Sequence, residues 1–138
     1  MEDFFCTIYY YTNGFYSAEL DDYLYSTVPG YLHIGLVMLI ATVLICGFYY
    51  YLYKPVRNQT KWWFFYVLIN AVVNFCFSMW YTMTPLINNE IDPQLEWTYL
   101  DCSFMSVTNV IWASVTFLVC SLVIKWWSPC KYVPFQKF

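Results

Sequence analysis

The chain has 138 residues, of which 61% are hydrophobic, 25% aromatic and only 11% charged. An ordinary soluble domain is roughly 25% charged, and a chain this short cannot hide so much apolar surface from water, which argues against a soluble globule and for a lipid solvent. Six Lys and Arg against nine Asp and Glu give a net charge of -3 and no basic patch for a phosphate track, so nucleic acid is excluded as a partner.

Residues 1–30 read as an interfacial segment. Glu2 and Asp3 stand where a secretory signal needs positive charge, and no small-residue cleavage site follows an early apolar run. Phe4, Phe5, Tyr9, Tyr10, Tyr11, Phe15 and Tyr16 come before Glu19, Asp21 and Asp22. Aromatics beside acids suit a membrane surface; the alternative is a partly disordered tail. Asn13-Gly14 reads as a turn, and Ser17 is placed to cap a short helix that Pro29-Gly30 ends near Thr27.

Three apolar stretches follow. Residues 31–53 form an expected first transmembrane helix, uncharged and closed by the belt Tyr49, Tyr50, Tyr51 and Tyr53. A basic turn, 54–61, is short enough to make the first two spans antiparallel neighbours. The second span, 62–84, has Trp62 and Trp63 at one end and Trp80 and Tyr81 at the other. An acidic loop covers 85–98, the third span 99–127, and a tail with two prolines 128–138. The expected fold is an all-α integral membrane protein with three transmembrane helices in a cell membrane. Every acid flanks one side of these spans and every Lys and Arg the other, which predicts an outer N-terminus and a cytoplasmic C-terminus. Asn58-Gln59-Thr60 matches the glycosylation pattern but falls in the basic, cytoplasmic turn.

Lipid tails are as apolar as leucine, so membrane helices associate through small and polar residues. The third span carries such a row, Cys102, Ser106, Asn109, Ala113, Thr116 and Cys120, at a heptad rhythm. The second carries Ala71, Asn74 and Ser78 with Asn70 flanking, and the first Gly35, Thr42 and Cys46. Two uses compete for these faces: packing within one protomer, or lining a water-filled path between copies. A second stripe, Ser103, Ser114 and Ser121, is more than three helices are expected to satisfy, which favours an oligomer.

His33 and Asp101 lie at similar expected depth and are candidates for an outer ionisable pair between the first and third spans; the alternative is that both reach interfacial water. A single histidine and cysteines at scattered depths support no metal site and no cofactor. Only Cys6 and Cys102 share the outer side, where one bridge is conceivable. No triad, phosphate loop or carboxylate pair assembles, so an enzyme is not expected. The tail alternates basic, aromatic and proline residues, and Trp126, Trp127, Lys131, Tyr132 and Phe135 are candidates for docking a cytoplasmic protein; the alternative is a tail lying on lipid. The leading expectation is a homo-oligomeric pore or ion channel. The alternative is a membrane-anchor or scaffold subunit of a larger envelope or secretion-type assembly.

Overall fold

The structure is a computed structural model and describes residues 2–12, 18–53, 59–88, 97–128 and 133–134. Among these residues every regular element is helical. Helix α1 spans Glu2–Thr12 and α2 Ala18–Asp22, the latter running on as a wide π-turn over Tyr23–Thr27. Helix α3 spans Gly30–Gly47 and widens into a π-helix over Phe48–Tyr53; α4 spans Gln59–Ile87 and α5 Tyr99–Ile124.

Three of these helices are long and apolar enough to cross a membrane: Gly30–Leu52, Gln59–Ile87 and Tyr99–Ile124. The shortest has 23 residues. At 1.5 Å per residue that is about 35 Å, against a hydrocarbon core of about 30 Å. Uncharged apolar sequence forms helix in such a solvent because no water is present to take an open N–H or C=O. Helices α3, α4 and α5 pack pairwise against one another.

The helix ends differ in detail from the expected bounds. Helix α4 passes through Pro85, where the sequence places the boundary of its span. A proline in the last turn removes one backbone bond, and the turn still closes through Asn88 N–H to the Thr84 carbonyl at 3.0 Å. Helix α5 stops at Ile124, and Lys125, Trp126 and Trp127 form a turn beyond it. In α3 the π-helical end brings the consecutive Tyr49 and Tyr50 both to the interior, which a regular helical turn does not favour.

At mid-length the long helices put polar side chains inside and aliphatic ones outside. Helix α4 buries Trp63, Asn70, Asn74, Ser78, Thr82 and Pro85. Its outward face carries Phe64, Phe65, Leu68, Val72 and Val73. Helix α5 turns Val107, Ile111, Val115, Val119 and Val123 outward, and α3 does the same with Ile40, Val43 and Leu44. In a hydrocarbon solvent bulky aliphatic surface would cost nothing on the outside, and small and polar side chains would be the ones with reason to be buried.

The first helix is docked rather than free. Phe5 lies over Gly35 of α3 so closely that a Cβ at residue 35 would overlap its ring. Tyr9 is fully buried and stacks on Tyr31 at 5.9 Å. Phe5, Tyr9, Leu20, Leu24, Tyr31, Ile34, Trp97, Cys102 and Met105 form one core cluster at the acid-bearing end of the bundle. A second, around Cys46, Tyr49, Tyr50, Trp63, Phe117 and Val133, closes the other end.

Candidate functional site

The residues that pattern alone singles out come together as a hydrogen-bonded network at mid-length of the three long helices. Asn70 is its hub. Its Oδ1 accepts from Thr42 Oγ1 of α3 at 3.2 Å and from Asn74 Nδ2 at 3.1 Å. Its Nδ2 donates across to the Ala113 carbonyl of α5 at 3.2 Å. Asn74 Nδ2 also reaches the Asn70 carbonyl one turn back at 2.9 Å. Asn109 of α5 returns the link, donating to the Asn74 carbonyl at 3.1 Å. The Tyr9 hydroxyl completes it, donating to Asn109 Oδ1 at 2.7 Å. Thr42, Asn70, Asn74, Asn109 and Tyr9 are all fully buried. One network thus ties α1, α3, α4 and α5 together.

A second polar knot lies toward the basic end. Trp63 Nε1 donates to Ser121 Oγ at 3.2 Å, and Cys46 Sγ lies 3.7 Å from the same hydroxyl. The Trp63 ring meets Phe117 edge-on at 5.6 Å.

The buried row of α5 departs from the heptad row. Cys102, Ser106, Asn109 and Ala113 are buried, whereas Thr116 and Cys120 are half-exposed, and Phe117 and Ser121 take the interior beside them. Each step of four overshoots a 3.6-residue turn by about 40°, so the row Asn109, Ala113, Phe117 and Ser121 swings round the helix and its last two members meet Trp63. Thr116 instead lines an apolar groove of about 210 Å³ with Phe5, Tyr9, Met38, Leu39 and Trp112, under α1.

The second stripe of serines is satisfied inside one chain, contrary to the expectation. Ser103 and Ser114 donate to the carbonyls of Tyr99 and Val110 on their own helix, both at 2.9 Å. Ser121 is the buried knot just described. Ser106 likewise bonds the Cys102 carbonyl at 2.8 Å. Among the described residues, two buried polar atoms in the row find no partner, Asn74 Oδ1 and Ser78 Oγ.

His33 and Asp101 do not pair. His33 is exposed, with Nδ1 2.8 Å from the Tyr81 hydroxyl of α4. Asp101 closes the start of its own helix, where Oδ2 accepts from Thr98 N–H at 2.8 Å and from Thr98 Oγ1 at 2.7 Å. A carboxylate three residues into a helix is within reach of the capping residue, and that local bond wins over a partner on another helix. No disulfide joins Cys6 to Cys102, so the bridge open to them on the outer side is not formed. Among the described residues no group of three His, Cys, Asp or Glu comes together to hold a metal ion.

In the tail, Trp126 and Trp127 are 73% and 76% exposed. Ser128 Oγ is tied to the Tyr50 carbonyl at 2.8 Å, and Val133 is buried in the cluster around Tyr49 and Tyr50. Lys131, Tyr132 and Phe135 lie outside the described residues, as do most of the basic turn and of the acidic loop.

Sequence pattern named Asn70 but placed it at the edge of its row, and it missed Tyr9. Asn70 is the network's hub rather than a flanking residue. Tyr9 belongs to a segment read as interfacial, and its partner is 100 positions away. The only local signal is the Phe5–Tyr9 spacing, one helical turn with both rings on one face. The network joins amides, hydroxyls and backbone carbonyls, with no nucleophile beside a base; its chemistry is that of holding helices together. Compared with family models, with curated proteins and with solved structures, the chain matches none.

Proposed function

We propose that this protein is a membrane-embedded anchor or scaffold subunit, a compact three-span unit that offers its ends to partners. The observation that carries this reading is where the polar side chains go. Asn70, Thr42 and Asn109 spend their hydrogen bonds inside one chain, and the long helices present aliphatic and aromatic residues outward. A pore built between copies needs a polar surface to line it. The outward faces of α3, α4 and α5 are dominated by Ile, Val, Leu and Phe. Under the charge asymmetry, the acid-bearing end faces out and the basic end the cytoplasm. The exposed Trp126 and Trp127 then stand at the cytoplasmic end as the docking residues.

A second reading, the homo-oligomeric pore, draws on Asn74 Oδ1 and Ser78 Oγ, whose missing partners water would supply. One experiment separates the two. The purified protein is reconstituted into liposomes, and ion flux is measured under voltage and at low pH. The anchor reading expects no flux, and expects loss of a co-purifying, unlike subunit in a Trp126→Ala, Trp127→Ala variant that keeps its own mass in detergent. A saturable flux that Asn74→Leu reduces, with the oligomer intact, replaces the anchor with the pore.

A further inference from the structure

At the acid-bearing end a second concave site lies apart from the polar network. It is a cavity of about 220 Å³ lined by Tyr23, Trp80, Tyr81, Thr84 and Pro85. We infer that this aromatic pocket binds a quaternary ammonium group, the chemistry of choline.

Three rings converge on the cavity from two elements, Tyr23 from the π-turn after α2 and Trp80 and Tyr81 from α4. Two of them are held from behind. Tyr23 packs on Trp97 with ring centroids 4.9 Å apart, and Tyr81 packs on Phe77 at 6.0 Å while its hydroxyl meets His33 Nδ1. The other lining residues offer little hydrogen bonding. Thr84 turns its hydroxyl back to the Trp80 carbonyl at 2.6 Å, and Pro85 has no N–H. Among the described residues no carboxylate lines the cavity. A primary ammonium or a metal ion is best held by carboxylate or carbonyl oxygens, whereas the described wall offers chiefly aromatic rings with two phenol hydroxyls. A quaternary ammonium has no N–H to satisfy and is attracted to the faces of Trp and Tyr, which makes an aromatic wall its natural receptor.

The charge around the site has the matching sign. Residues 1–53 and 62–124 contain no Lys or Arg, and all nine acids of the chain flank this end of the spans. Such a field draws cations toward the pocket and repels anions. Trp80 is 65% exposed and stands seven residues from the end of α4, about 10 Å by helical rise, which is headgroup depth for a spanning helix. The cation therefore reaches the site either as a phospholipid headgroup or as a free solute.

The test uses the full chain in a maltoside detergent, which carries no ammonium group. Choline chloride is titrated and its methyl signals are followed by saturation-transfer NMR, with ethanolamine at equal ionic strength as control. The expected result is saturable choline binding in the millimolar range, weakened about five- to tenfold by Trp80→Leu and largely restored by Trp80→Phe. Trp80 is exposed, so these variants keep their helicity and mass, which circular dichroism and light scattering check. Tyr23→Leu is the second variant and is expected to weaken choline binding as well. Native mass spectrometry then compares phosphatidylcholine with phosphatidylglycerol of the same chains. Retention of phosphatidylcholine alone assigns the headgroup source; choline binding without lipid preference assigns the free solute. The inference is overturned if choline does not saturate, if ethanolamine binds equally, or if both ring-removing variants bind as the wild type does.

Discussion

The link between Tyr9 and Asn109 gives the sharpest test of the fold. Tyr9→Phe keeps the ring that stacks on Tyr31 and removes only the hydroxyl that donates to Asn109 Oδ1 at 2.7 Å. Both residues are fully buried, so the change leaves a carbonyl oxygen without its donor and without water. In soluble proteins such an orphan costs about 1–3 kcal/mol. Measured interhelical hydrogen bonds in membranes average about 0.6 and reach about 1.7 kcal/mol. The two ranges overlap near 1–1.5 kcal/mol, about a tenfold change in the docked-to-undocked ratio of α1. Cys6, half-buried on the same helix, reports docking through its rate of alkylation by a small maleimide, read by peptide mass spectrometry. The rate in Tyr9→Phe is expected to rise about five- to tenfold over wild type at neutral pH. Burial pushes the Tyr9 phenol well above its ordinary value of about 10. The docked state therefore keeps its proton where the undocked state loses it, and docking weakens as pH rises past about 10. The ratio of variant to wild-type rate at each pH cancels the thiol's own titration and is expected to fall toward one above that value. An alkylation rate unchanged at neutral pH would refute the claim that this bond holds α1 in place.

Three further outcomes follow from packing and charge. Gly35→Leu places a side chain where the Phe5 ring lies, so it should release α1 and speed Cys6 alkylation at least as much as Tyr9→Phe; adding Phe5→Ala should relieve the overlap without restoring the rate. Ala113→Leu overfills a fully buried position beside the Asn70 bond and should lower stability in detergent by about 1–3 kcal/mol, whereas Leu118→Ile on the outward face should cost well under that; equal effects would remove Ala113 from the packing surface. For orientation, a membrane-impermeant thiol reagent added to intact cells should label a cysteine placed at Asn89 and miss one at Asn58, and the reverse pattern would invert the topology.

The three long helices could be read from the chain because their signal is local. Each contains an uncharged apolar run long enough to cross a bilayer core, and in such a solvent the backbone has to form helix. Of the residues chosen for a pore or packing face, Asn70, Asn74, Ser78, Ser106, Asn109 and Ala113 are buried and Thr116 is not; the choice rests on the same footing, since in lipid the small and polar residues are the ones with a reason to be inside. Tertiary structure decided how those residues are used. Whether the amides face water or one another depends on which faces meet, and packing α3, α4 and α5 together puts Asn70 within reach of both Thr42 and Ala113. The exchange of Thr116 and Cys120 for Phe117 and Ser121 depends on where Trp63 stands on the neighbouring helix. Asp101 went to Thr98 because a bond three residues away forms with the helix itself, while a bond to His33 needs two helices at a fixed rotation. Tyr9 is the limiting case: a side chain near the start of the chain completes a network on the last helix, and only the folded bundle brings those two positions together.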